Sequence, residues 1–385
     1  MKRKGYEGVA VAVPVTVPYE RFSTHGAPWF LGRVMAELVK QSGLAKDDID
    51  GLCVSSFSLG PDTAVGLTQH LGLSPRWLDH VPMGGASGVV AVRRAARAVQ
   101  AGDADLVACI SGDTNHVDSF RMMLGSFSAF ARDATWPYGS GGPNSMFAFI
   151  TVHAMRTQGA KREDFGRICV AQRDNAMGVP HAMFKKPLTL DEYMNARVIA
   201  DPIHLFDCVM PCAGGDGVLV MSEARARDLG LRFVNVLAAT ERHNAYRDDP
   251  IMWRGGWSVD RDELYAMAGV KPVDLDFVQF YDDYPVIVMM QYEGHGLCGE
   301  GEGAEYVRAH TLDVGGTMPT NTSGGQLSMG QAGAAGGYLG LVEAVRQLTD
   351  APLGKPVADA KVGMVSGFGM ITYDRCLCTG ALILA

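Results

Sequence analysis

NTSGGQLSMGQAGAAGGYLGLVEAV, residues 321–345, decides how this chain folds. A glycine-dense loop runs straight into an amphipathic helix. Glycine adopts positive φ freely and lets backbones approach closely. A helix start presents free N–H groups and a positive dipole end, which suits an anion or an oxyanion. Many α/β proteins carry a loop–helix junction of this kind, so the junction alone says little. The whole 25-residue string is far more specific.

The same arrangement occurs earlier in the chain. Gly85-Ala86-Ser87-Gly88 opens a predicted helix over 88–101, followed by a hydrophobic strand over 105–111. Gly333-Ala334-Ala335-Gly336 opens the later helix, followed by a strand over 361–366. Two short matches suggest an internal repeat. In the first helix Val89, Val92, Ala96 and Val99 share a face, and Arg93, Arg94 and Arg97 lie mostly off it. With a helix at 29–42 and a strand at 51–55, the alternation argues for α/β layering around a largely buried sheet. Residues 113–204 are less regular and read as an excursion lying over the core.

Composition narrows the function classes. The 385 residues suffice for two core-forming units. Net charge is −8 with no basic cluster, which argues against a nucleic-acid partner. No apolar run reaches the length of a membrane span. The basic start and Val/Ala run of residues 1–18 resemble a signal peptide, but the run is short, interrupted by Pro14 and Pro18, and alternates like a strand. A first β-strand and a cytoplasmic location are expected. Eight scattered cysteines form no Cys-x-x-Cys pair, so buried thiols and no metal site are expected. The pairs Met122-Met123 and Met289-Met290 read as adaptable core filling.

Four stretches join residues 321–345 in resembling the thiolase superfamily, in its branch close to sterol-carrier-protein thiolases. These are 84–113, 200–222, 277–303 and the C-terminal SGFGMITYDRCLCTGALIL, so the likeness spans nearly the whole chain. The resemblance implies a thiolase fold: two similar βαβαβ halves in a five-layered αβαβα arrangement with an inserted loop region. The halves are expected at 1–230 and 231–385. It also implies a coenzyme A thioester as substrate, with no bound cofactor. Asp216 matches the acidic residue of the family's Asp-Gly-Ala turn, where capping that turn is the expected role.

The catalytic groups depart from the family. Where thiolases carry the nucleophile of Cys-Ala-Ser-Gly, Gly85 stands, so no acyl-enzyme can form there. The Gly-His-Pro places read Gly330, Gln331 and Ala332, and glutamine orients but cannot act as a base. The His-Asp-Cys-Phe histidine reads Tyr281, followed by Asp282, Asp283 and Tyr284. The adjacent carboxylates should point to different sides, so one of them is expected to face the site. The final glycine loop allows two registers. With Gly367-Phe368-Gly369 as that loop, the acid/base cysteine place is apolar Val365; with Cys378-Thr379-Gly380, Cys378 is retained. In the first register, backbone donors near Gly85 and Gly369 form an oxyanion site. Ser323, Gly324 and Gly325 are expected along the pantetheine arm of coenzyme A. His116, His204, His243 and His295 read as surface or structural residues, and Cys208 and Cys212, with Pro211 between them, not as a ligand pair.

The expectation is a lyase that splits a β-hydroxyacyl-CoA by retro-aldol reaction, a step that needs no acyl-enzyme. The sequence is similar to the superfamily's steroid side-chain-cleaving aldolases, which further implies a homodimer joined by a small zinc-ribbon and OB-fold partner. Two alternatives remain open. One is an acyltransferase with displaced catalytic groups, such as Cys378. The other is a non-catalytic acyl-CoA or lipid-binding subunit.

Overall fold

The computed structural model describes residues 4–60, 62–116, 129–140, 142–372 and 375–385; Met122 and Met123 lie outside them. The hydrophobic runs become strands β1 (Val9–Glu20), β2 (Gly51–Ser55), β3 (Trp77–His80) and β4 (Leu106–Asp113), a short ribbon of β5 (Val198–Ala200) and β6 (Ile203–His204), then β7 (Ala213–Ser222), β8 (Phe233–His243), β9 (Phe277–Phe280), β10 (Gly363–Thr372) and β11 (Arg375–Leu384). Apart from the ribbon they align in the order β3-β2-β4-β7-β1-β8-β11-β10-β9. The two half-sheets meet at β8. Its first residues pair with β1 at Phe233 to Asn235, and the remainder pairs with β11.

Topology makes the sequence echo concrete. β2 runs parallel to β4, which pairs antiparallel with β7, which pairs antiparallel with β1. β9 runs parallel to β10, which pairs antiparallel with β11, which pairs antiparallel with β8. The helix Ser87–Ala101 feeds β4, and the helix Gly336–Leu348 feeds β10, the strand in the equivalent place. The expected boundary at 230/231 falls in the turn just before β8.

These two helices form the middle layer. Val89, Val92 and Ala96 of the first and Tyr338, Leu341 and Val345 of the second share one buried cluster with inward-facing residues of both half-sheets, among them Val107, Val220, Val236 and Leu382. A Cβ on Gly88 would stand 2.3 Å from the Gly337 carbonyl oxygen, so the helices meet backbone to backbone. Beyond the first half-sheet, Phe30, Val34 and Leu38 of the helix Ala27–Ser42 cover the outer face. Beyond the second, Trp257 and Leu264 of the helix Trp257–Ala268 pack with Ile287, Met289 and Met290 of the helix Pro285–Gly294. The result is the layered αβαβα arrangement.

The described residues between 113 and 204 are more regular than their sequence suggests. They contain two 15-residue helices, Pro143–Thr157 and Arg162–Ala176. Each has a Phe/Ile-rich face, and Phe147, Phe165 and Ile168 join the outer cluster of the second half. The sequence reading missed them because Asn144, Ser145, Gly166 and Asn175 dilute the periodicity. Asp216 also differs from expectation. It lies within β7 and accepts hydrogen bonds from the hydroxyls of Thr16 and Tyr19 instead of capping a turn; burial raises its carboxyl to about 6.

Candidate active site

A cavity of about 680 Å³ opens where the excursion faces the C-terminal ends of the middle-layer loops. Gly85, Asn144, Cys208, Cys212, Tyr281, Asp283, Tyr284 and Gln331 line its polar parts. Phe57, Trp136, Ile199, Val209, Phe368 and Ile371 supply its apolar wall. Of the sequence candidates, Gly85, Tyr281, Asp283, Tyr284 and Gln331 are therefore brought together.

Tyr281 sits where β9 ends and the chain turns into the helix Pro285–Gly294. Its backbone is pinned: its N–H donates to the Ser366 carbonyl (3.1 Å), and its carbonyl accepts from Gln291 Nε2 (2.7 Å). The ring lies nearly parallel to Phe368, with centroids 6.2 Å apart. Its other side is Gly85. A Cβ placed on Gly85 would stand 1.9 Å from the Tyr281 ring, closer than any real contact. The tyrosine ring thus occupies the volume a side chain at 85 would need, so the two departures from the thiolase pattern depend on each other sterically. Gln331 Nε2 donates to the Tyr281 hydroxyl oxygen at 3.0 Å. Gln331 is itself fixed by its backbone, which bonds Met210 and Cys212 at 2.8 and 2.9 Å.

The two aspartates diverge. Asp282 turns away from the cavity, and its carboxylate accepts from the N–H groups of Gln326 (3.0 Å) and Leu327 (3.3 Å). It therefore holds the glycine loop, and it is not a candidate base; burial raises it to about 6, against the pull of those N–H donors. Asp283 faces the cavity. Its Oδ1 is sealed from solvent and has no hydrogen-bond partner among the described residues. Burial, then the Asp282 charge, pushes its carboxyl well above the usual carboxylate range. Burial, followed by the charges of Asp283 and Asp282, also holds the Tyr281 hydroxyl in its neutral form. The Tyr284 hydroxyl donates to Asn144 Oδ1, and its ring stacks on Phe147 with centroids 4.0 Å apart.

The structure places four of the expected features away from the cavity or already bonded. Ser323, Gly324 and Gly325 do not line the cavity. They are buried, and a Cβ on Gly324 would meet Ala176 at 2.5 Å, so the loop packs closely on the helix Arg162–Ala176. The free helix-start N–H groups expected in this loop are already taken by Asp282, and the later one at Ala334 by Asp113 (2.7 Å). Gly369 is absent from the cavity wall too. It packs against the Met83 carbonyl, where a Cβ would come to 1.8 Å, while Phe368 on one side and Met370 on the other reach the cavity. Cys378 pairs with Gly369 across β10 and β11 and lies outside the cavity, with burial pushing its thiol up to about 12.

The other residues weighed from sequence fall outside the chemistry or offer no thiolate. His295 is fully buried on Ser366 (2.8 Å), and desolvation lowers it to about 3, so it is neutral. Cys208 lines the cavity with its thiol raised to about 12 by burial, and burial, then the Asp216 charge, pushes the Cys212 thiol well above its ordinary range. Neither is a ready nucleophile at neutral pH. Among the described residues no group of three or more His, Cys, Asp or Glu side chains is placed to hold a metal ion. No helix among the described residues is long and apolar enough to cross a membrane.

Sequence reasoning missed two residues. Asp113, at the end of β4, accepts from Ser56, Phe57, Ser58 and Ala334 and so ties loops of both halves beneath the cavity. Its signal was an acidic residue closing a buried strand. Asn144 gave no signal, since its partner Tyr284 is 140 positions away.

Residues 238–378 match the thiolase C-terminal domain-like family model. The chain is 30% identical over 356 residues to a steroid side-chain-cleaving aldolase of Thermomonospora curvata, covering 88% of this chain and 90% of that one. It is 31% identical over 371 residues to the 17-hydroxy-3-oxo-4-pregnene-20-carboxyl-CoA lyase of Mycobacterium tuberculosis, covering 90% and 93%. A solved Ltp2-ChsH2(DUF35) aldolase superposes with a TM-score of 0.83 at 26% identity, covering 98% of this chain and 97% of that one.

Proposed function

This chain belongs to the thiolase superfamily, in the sterol-carrier-protein thiolase-like branch with the steroid side-chain-cleaving aldolases, and from that premise we propose that it splits the Cα–Cβ bond of a β-hydroxyacyl-CoA by retro-aldol reaction. The observation that carries this reading is the Tyr281 ring filling the space beside Gly85. It removes the covalent route and leaves chemistry that runs on free thioester.

The cavity supplies what the cleavage needs. Asp283, in its ionised form, takes the proton of the β-hydroxyl. The Cα–Cβ electron pair moves onto the thioester as an enolate, and Cβ leaves as a ketone or aldehyde carbonyl. Tyr281, neutral and held by Gln331, then gives its proton to Cα, which completes the shortened acyl-CoA. The proton on Asp283 returns to the Tyr281 oxygen, and the site is reset. The Gly85 N–H, in the turn Gly84–Ala86 that leads into the helix Ser87–Ala101, is the backbone donor this reading assigns to the enolate.

A substrate with a bulky, ring-bearing β-carbon fits the apolar wall of Phe57, Trp136, Ile199, Val209 and Phe368. The named substrate of the Mycobacterium tuberculosis relative is of this kind. The solved aldolase pairs Ltp2 with ChsH2, a DUF35 protein, which supports a small partner protein here; a zinc-ribbon/OB-fold build for it, a homodimeric core and a cytoplasmic setting are part of the same proposal. An acyltransferase using Cys378 is disfavoured by that thiol's burial outside the cavity. A pure binder is disfavoured by Asp283, because an unpartnered buried carboxylate oxygen is costly and binding alone does not require it.

The test is a panel of branched β-hydroxyacyl-CoAs, with and without the partner, read by mass spectrometry. Stoichiometric shortened acyl-CoA and ketone are expected. Thiolysis of acetoacetyl-CoA at an ordinary thiolase rate, without cleavage of any panel member, would count against the proposal.

A further inference from the structure

The geometry points to Asn144 as a catalytic residue: its carboxamide Nδ2 donates to the thioester oxygen as that oxygen becomes an enolate. The inference rests on the retro-aldol reading and adds a group that reading lacks. An enolate oxygen needs fixed donors, and Gly369, where the sequence placed the second one, does not line the cavity.

Asn144 lies in the first turn of the helix Pro143–Thr157, just after Pro143, and lines the cavity. Its Oδ1 accepts the Tyr284 hydroxyl and the Cys208 thiol, the latter at 3.7 Å. With both donors on Oδ1, the amide's other half turns away from them. Nδ2 has no partner among the described residues, and it is not one of the buried atoms sealed from solvent without a bond. An unused N–H pair therefore remains on a cavity-lining carboxamide whose carbonyl is already held.

Its position suits the task. Asn144 is one hydrogen bond from Tyr284, the residue after Asp283. The substrate's β-oxygen and thioester oxygen are also near neighbours, separated only by Cβ, Cα and the carbonyl carbon. A substrate with its hydroxyl on Asp283 brings its thioester oxygen to the adjoining part of the same wall. The positive end of the Pro143–Thr157 helix adds to the effect there, since charge develops on that oxygen only in the transition state.

Asn144→Asp separates a donor from a residue that only positions Tyr284. The carboxylate still accepts from Tyr284 and Cys208 but has no N–H to give. With the panel's best substrate, kcat should fall about 10²- to 10³-fold while KM changes little. Asn144→Ala, which adds no charge, should fall comparably, and Asn144→Ala combined with Tyr284→Phe should fall further than Tyr284→Phe alone. Melting temperature and affinity for the shortened acyl-CoA, measured on each variant, report on folding and binding. If Asn144→Asp or a folded Asn144→Ala keeps kcat within a few-fold of the parent, the donor role is overturned while the retro-aldol reading stands. If the parent enzyme cleaves no β-hydroxyacyl-CoA, the reading itself fails and the inference falls with it.

Discussion

Gly85→Ala is expected to cost about 10²-fold or more in cleavage rate, although it adds a single methyl group. The methyl carbon would stand 1.9 Å from the Tyr281 ring. The backbone cannot easily yield, because Tyr281 is anchored through Ser366 and Gln291 and Gly85 lies in the buried turn Gly84–Ala86 that leads into the helix Ser87–Ala101. The ring must therefore swing off Phe368 and away from Gln331, and the proton donor leaves its place. Overpacking of this kind also costs typically about 1–3 kcal/mol of stability. The companion variant decides the cause. Gly85→Ala in a Tyr281→Ala background should be no less stable than Tyr281→Ala alone, because the clashing ring is gone. A Gly85→Ala enzyme with ordinary activity and melting temperature would mean that the ring does not fill this space.

Asp283→Asn should lower kcat by about 10²- to 10⁴-fold, the range for loss of a general base, while acyl-CoA binding persists. The sign of the pH dependence follows from the direction of its shift. Burial and the Asp282 charge raise the Asp283 carboxyl, so the basic form is lost at a higher pH than for an ordinary aspartate. The parent's kcat/KM should therefore rise with pH along a limb whose midpoint lies above about 4, the unperturbed Asp value. Because Asp282 is raised as well, the limb belongs to the interacting pair, and its assignment comes from the variant. The residual activity of Asp283→Asn should lack that limb. Persistence of the same limb would assign the base elsewhere.

Much of the fold was legible because its signals are local. The two glycine-loop helices and the strands they feed could be read from short windows, and they occupy equivalent places in the two half-sheets. Gly85 and Tyr281 could each be flagged from the sequence, yet their mutual dependence could not, because it is a contact between residues nearly 200 positions apart. The glycine loop at 323–325 misled for a physical reason. The N–H groups that follow it, of Gln326 and Leu327, are suited to an anion, as expected, but the anion is the protein's own Asp282. Asn144 stayed hidden in a helix with a diluted periodicity, and its role depends on which way an amide faces, a property that no sequence pattern encodes.

The intact mass of the polypeptide, quenched during steady turnover of a cleaved β-hydroxyacyl-CoA, tests the central claim most directly. With the nucleophile's place filled by the Tyr281 ring, the protein should keep its unmodified mass while shortened acyl-CoA accumulates. A transient gain equal to an acyl group, mapped to Cys208, Cys212 or Cys378, would contradict the account.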